Sequence, residues 1–264
     1  MGSIHYARLN YYDRLSNMIQ LNKKYVYHYT SFESAVKIIS SGVLLFSRID
    51  RLNDIHEVNG PLVLWSKDED GKEIQEYLQY YSQISLTIDG ERKGFDIPAM
   101  WGHYADRGHG VCLVFDWGVM ERIVGERGLY SKSIDYGELE NPGELLYDSK
   151  THGTAEEFLS KAKDVLFFRK SSDWEYEQEY RIIAIDSEYT PLEFGDALTG
   201  AIIYSENQSA FLSSPEYKAL KTLLPADSVY RYGTSLERGH LYDAKGNAIE
   251  KEIVFDFSAV KSIK

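Results

Sequence analysis

The sequence predicts an α+β fold with mostly antiparallel strands and flanking helices, and three observations lead there. Helical and strand-like segments are interleaved without the regular alternation that a doubly wound parallel sheet imposes. Short apolar or alternating runs bounded by turn residues recur along the chain. With 43% hydrophobic and 14% aromatic residues in 264, there is material for a substantial core and no compositional sign of disorder.

Taken in order, residues 24–30 read as a strand. Thr30-Ser31-Phe32-Glu33 then matches a capping box in which Thr30 starts a helix. Phe32, Ala35, Val36 and Ile39 repeat at helical spacing, and Gly42 stands where a left-handed C-cap belongs. VLLFS (43–47) and SLTID (85–89) read as strands, PAMWGHYA (98–105) as a short helix, and GVCLVFD (110–116) as a buried strand. The pattern continues with a helix over 155–168, strands over 179–186 and 199–205, a helix over 215–224 and a last strand near 252–257. Prolines and glycines are scattered, with no repeat and no linker, so residues 1–264 are expected to form one domain.

A formal charge of −12 repels phosphate backbones and anionic leaflets, which disfavours non-specific nucleic-acid binding. The single cysteine, Cys112, forms no internal disulfide and suits a reducing compartment. No signal-like leader and no run of about 18 apolar residues is present, so a cytoplasmic protein with no membrane partner is expected.

Four clusters are candidates for chemistry. In VYHYT, strand alternation sets His28 on one face and Tyr27 and Tyr29 on the other; a core histidine beside a structural tyrosine fits the same residues. RLNDIHE (51–57) gathers Asn53, Asp54 and Glu57 in a loop, where an ordinary turn is the alternative. In AMWGHYADRGHG, Trp101 and Tyr104 share a helix face that either packs in a core or stacks on a planar ring. The histidines there match no zinc spacing.

SSDWEYEQEYRII (171–183) is the most informative. As a strand it would line Glu175, Glu177, Glu179 and Arg181 along one face, about 6.5 Å apart, where crowded carboxylates need a cation or a raised pKa. The elbow of serine hydrolases, the phosphate-binding P-loop, the dinucleotide glycine fingerprint and the H-E-x-x-H zinc motif are all missing.

Together and in this order, YHYTS, SSGVLLFS, LNDIHE, MWGHYADRGHGVCLVFD and WEYEQEYRII resemble a bacterial family of unknown function over roughly residues 24–186, leaving 187–264 as an extension. That family resembles the ADP-ribosyltransferase superfamily, particularly its DNA-modifying toxins. There a strand bearing His-x-Thr precedes a helix, and a late glutamate precedes an apolar strand. The resemblance implies a split pair of mostly antiparallel sheets with NAD, as substrate, in the cleft. It implies that Glu179, or Glu177, supports the reacting ribose. It further implies that His28, Tyr29, Thr30, Asn53, Trp101, Tyr104 and Arg181 hold the dinucleotide. The expected function is NAD-dependent ADP-ribosyl transfer to an unknown acceptor, as in defence or toxin proteins. The alternatives are a non-catalytic nucleotide-binding or interaction module and a metal-dependent nuclease using Asp54, Glu57 and the late acids.

Overall fold

The computed structural model describes residues 25–48, 64–137, 145–185, 190–234 and 239–249. Nine strands form the main sheet: β1 (Tyr25–Thr30), β2 (Ser47–Arg48), β3 (Tyr81–Ile88), β4 (Val111–Asp116), β5 (Tyr130–Ser133), β6 (Glu179–Ile185), β7 (Leu198–Tyr204), β8 (Val229–Thr234) and β9 (Gly239–Tyr242). Their spatial order is β9-β8-β7-β4-β1-β3-β6-β5, with β2 also on β3. Every pairing in this sheet is antiparallel except β7 with β8. The α+β class with mostly antiparallel pairing is therefore what the chain adopts. Among the described residues no helix is long and apolar enough to cross a membrane.

Period-2 alternation sorts the core into layers. One face carries Val26, Ile84, Leu86, Leu113, Phe115 and Ile182, and four helices cover it. These are α1 (Phe32–Ser41), α4 (Trp117–Glu126), α7 (Gln208–Ser213) and α8 (Pro215–Leu223), numbered in chain order. The opposite face is covered in two separate patches. Tyr25, Tyr27, Tyr29 and Tyr232 pack with Trp101 of α3 (Pro98–Tyr104). Tyr81 and Ile183 pack with Phe158, Leu159 and Phe167 of α6 (Ala155–Phe167) and with Ile74 of α2 (Asp68–Leu78). A four-residue helix, α5 (Ser149–His152), precedes α6.

Local chemistry explains the element ends, and two differ from the sequence expectation. The cap of α1 is Ser31: its Oγ accepts from Ser34 N at 3.2 Å, while Thr30 still pairs with Val111 as the last residue of β1. Strand pairing holds Thr30 in the sheet, and the next hydroxyl takes over the cap. VLLFS divides in two: Val43–Leu44 pairs with Leu192–Glu193, Ser47 starts β2, and Leu45 is left exposed. Gly42 does close α1 in the left-handed region, at φ 72°. At Gly110 a Cβ would lie 2.2 Å from the Thr30 carbonyl and 2.7 Å from Ala105 C, so only glycine lets the chain leaving α3 approach β1 this closely. The expected strand at 252–257 lies outside the described residues.

Candidate functional site

The central strands β1 and β3 pair only at Val26↔Ile88 and Tyr27↔Thr87, although both run on beyond those residues. Their outer partners keep full ladders: β1 pairs with β4 along its whole length, and β3 with β6 over seven residues. The sheet therefore forks past Tyr27 and Thr87. Ser85, in the middle of an otherwise buried strand, is exposed as a result. Across the fork His28 Nδ1 lies 3.3 Å from the Ser85 carbonyl, an acceptor that would otherwise lose its ladder partner. With Nδ1 donating, Nε2 is the acceptor nitrogen. Burial lowers the His28 pKa, with the Ser85 carbonyl opposing, so the imidazole is neutral at pH 7.

A cavity of about 200 Å³ occupies the fork. On the face with two separate core patches it lies between them, so its floor is polar where its sides are apolar. The floor is made by Gln83, Ser85 and Thr87 of β3 and by Glu179 and Arg181 of β6, which alternation aims to that face; Leu45 and Ser47 stand at one end.

The acidic segment enters by a sharper route than a strand. Ser172–Glu177 is a 3₁₀ helix, and Gln178 follows in the left-handed region at φ 48°, ψ 45°. That conformation is costly for a residue with a Cβ. Three bonds hold it: Gln178 Nε2 donates to the Ile88 and Arg92 carbonyls at 2.7 and 2.9 Å, and Oε1 accepts from Arg92 N at 2.9 Å. The reversal points both neighbours inward, so Glu177 and Glu179 are each buried. This corrects the expectation of four groups along one strand face: only Glu179 and Arg181 share one, and Glu175 lies in the 3₁₀ helix, which β6 does not include.

The two carboxylates have different surroundings. Glu179 is chelated by Arg181, Nε to Oε1 at 2.8 Å and NH2 to Oε2 at 2.9 Å, while Arg181 NH1 donates to the Phe167 carbonyl at 2.9 Å. Desolvation pushes the Glu179 pKa up, but Arg181 and then Lys170 outweigh it, and the Ser85 hydroxyl adds to them; the carboxyl is held at about 2. Glu177 accepts from the Tyr104 hydroxyl at 2.6 Å and from Lys170 Nζ at 2.8 Å. Desolvation dominates there and raises its pKa despite both partners. Lys170 Nζ also lies 3.6 Å from Glu179 Oε2 and 4.7 Å from the Trp174 ring centre. Carboxylates driven in opposite directions within one site are the usual arrangement for one fixed charge and one proton carrier.

Of the residues singled out in the sequence, His28, Tyr29, Tyr104, Glu177, Glu179 and Arg181 all line this cavity. Tyr29 does so with its hydroxyl already donating to the Gly94 carbonyl at 2.7 Å. Thr30 ends β1 outside the lining, and Asn53 lies outside the described residues, as do Asp54 and Glu57. Trp101 is a core residue. One ring face stacks on Tyr232 at 5.1 Å, Tyr29 meets it edge-on at 5.2 Å, and Nε1 donates to the Phe95 carbonyl. Lys170, Gln83 and Ser85 escaped the sequence reading. In YSQISLTI the polar set Gln83, Ser85, Thr87 alternates with Ile84, Leu86, Ile88, a pattern that reads as a solvated strand face.

Residues 100–182 match the model of a family described as a protein of unknown function (DUF2971). The match contains Tyr104, Lys170, Glu177, Glu179 and Arg181, and leaves out His28 and Gln83. No curated protein and no solved structure matches the chain.

Proposed function

We propose that the protein is an NAD-dependent ADP-ribosyltransferase whose cavity takes the nicotinamide and adjoining ribose of the dinucleotide. The observation that supports this reading best is the fork itself. It sets His28 on one branch and the Glu177, Glu179, Lys170 and Arg181 cluster on the other, around one cavity. About 200 Å³ is below the roughly 300 Å³ at which pockets for drug-sized ligands begin, so the cavity suits the reacting end and not the whole dinucleotide. The rest of the ligand would run out past exposed Leu45.

In this reading the bond between ribose C1 and the nicotinamide nitrogen breaks, its electron pair leaves with neutral nicotinamide, and positive charge builds on the ribose. A carboxylate held at a fixed position steadies such an oxocarbenium-like state, as in glycoside hydrolysis. His28 Nε2 accepts from a ribose hydroxyl. Glu177, the carboxyl with the raised pKa, takes the proton of a ribose or acceptor hydroxyl as the acceptor attacks C1. Glu179, chelated by Arg181, is the fixed charge that anchors Lys170 and Ser85 around it. The acceptor is a second substrate whose chemistry the cavity leaves open. Incubating the purified protein with labelled NAD and cell extract tests the proposal, beside Glu177→Gln, Glu179→Gln and His28→Ala. Absence of both nicotinamide release and label transfer in the wild type overturns it.

The charge balance favours a second reading, a nucleotide-binding module without turnover. Two buried carboxylates are matched by Lys170 and Arg181, so little unpaired negative charge remains for a cation. Calorimetry with NAD and ADP-ribose separates the two readings, because a module binds and never releases nicotinamide. For the metal-dependent nuclease reading, Lys170 Nζ stands against both late carboxylates, where a bridging cation would have to go. Nuclease activity abolished by EDTA is the result that would revive it.

A further inference from the structure

Gln83 is 3% exposed and lines the cavity, yet its Oε1 has no hydrogen-bond partner among the described residues. Its Nε2 lies 3.2 Å from Ser85 Oγ. The amide orientation follows from the neighbouring charge. Ser85 helps to hold the Glu179 pKa down, and an ionised carboxylate can only accept, so toward Glu179 the Ser85 hydroxyl acts as a donor. Ser85 Oγ is then left to accept from Gln83 Nε2, and the carbonyl oxygen of Gln83 is the orphan. A buried acceptor without a donor costs about 1–3 kcal/mol, and such a cost is kept where a ligand removes it.

We infer that Gln83 is a specificity-determining residue of this cavity, its Oε1 accepting a hydrogen bond from the carboxamide N–H of a bound nicotinamide ring. The inference rests on the reading of the cavity as a nicotinamide-ribose site and adds what discriminates the base. A neutral donor suits the position because the adjacent charges are already balanced two against two. Ribose hydroxyls have His28 and Glu177 to meet them, which leaves Gln83 Oε1 as the acceptor for the carboxamide N–H. Nicotinic acid, ionised at neutral pH, presents only acceptors and would face Gln83 Oε1 lone pair to lone pair.

The test measures binding of NAD and of its nicotinic-acid counterpart by calorimetry, with thermal unfolding of the ligand-free protein, for wild type, Gln83→Leu and Gln83→Glu. The wild type is expected to prefer NAD by at least tenfold. Gln83→Leu is expected to lose that preference and to melt a few degrees higher without ligand, since the orphan acceptor is gone. Gln83→Glu keeps an acceptor and is expected to retain the preference. Equal wild-type affinity for the two dinucleotides overturns the assignment of Gln83 while the transferase reading stands. Binding of neither overturns both. A lower melting temperature for Gln83→Leu identifies Gln83 as a satisfied structural residue and overturns the inference, as does a raised melting temperature with NAD preference unchanged.

Discussion

Arg181 grips Glu179 two residues behind it on the same strand face, both guanidinium–carboxylate contacts at 2.8 and 2.9 Å and both groups almost fully buried. A desolvated pair of this kind is costly to break from one side, because the survivor keeps its charge without its partner. Arg181→Met is therefore expected to destabilise the fold by about 3–5 kcal/mol in urea titrations. Lys170, 3.6 Å from the same carboxylate, is too distant to replace two direct contacts. The double variant Arg181→Met/Glu179→Leu should recover most of that loss. A double variant no more stable than Arg181→Met would mean the guanidinium matters through Phe167 and not through Glu179.

The opposite shifts of the two acids make a definite pattern against pH. Glu179 has a folded pKa of about 2 against roughly 4.3 in the unfolded chain. Its contribution is complete above the unfolded value and is lost as pH falls toward the folded one. Glu177, whose pKa is raised, works the other way: the native state takes up its proton first, so stability from this group grows as pH falls through its folded value. Wild-type stability should thus hold on mild acidification and collapse below about pH 4. Glu179→Gln should be less stable above about pH 4, with a distinctly flatter fall below it, so that the two proteins converge at the acid end. Chemical denaturation at a series of pH values measures both, and an unchanged acid slope in Glu179→Gln would refute the assignment.

Trp101 separates packing from recognition. Its indole is stacked on Tyr232, edged by Tyr29 and hydrogen-bonded to the Phe95 carbonyl, so Trp101→Phe should cost about 2 kcal/mol of stability through the lost bond and volume. NAD affinity should stay within twofold of wild type. A tenfold loss of affinity with the fold intact would show that the ring meets the ligand.

The difference between what the sequence disclosed and what it hid follows from the range of the interactions. Local rules located β1, α1 and its glycine cap, α3, β4, α6 and β6, because apolar period and capping chemistry act over a few residues. The Glu177, Glu179 and Arg181 cluster was visible as a dense run of charges, but its geometry was not. A strand reading fails at Gln178, whose left-handed backbone is held by Ile88 and Arg92, partners 90 and 86 positions away. The fork is likewise invisible locally. Whether β1 and β3 stay paired past Tyr27 is decided by what lies between them, and the polar stripe Gln83, Ser85, Thr87 looks the same facing water or facing a cavity.

Tyr104 gives the most direct access to Glu177. Its hydroxyl donates to Glu177 at 2.6 Å and lowers that carboxyl's pKa, as Lys170 does, against the larger effect of burial. Tyr104→Phe removes the phenol alone, so the Glu177 pKa must rise further and a smaller fraction is ionised at neutral pH. If Glu177 accepts the proton during transfer, the acid limb of the kcat/KM profile moves to higher pH. A hydrogen bond to a charged group is worth about 1.5–3 kcal/mol, so the limb moves up by about one to two pH units and activity is lost on its acid side. Raising the pH should recover much of that loss, because deprotonation restores the base even without its donor. Nicotinamide release across a pH series measures this. A loss of the same factor at every pH would mean that Tyr104 positions Glu177 without tuning it. An unchanged profile would place the proton transfer on another group.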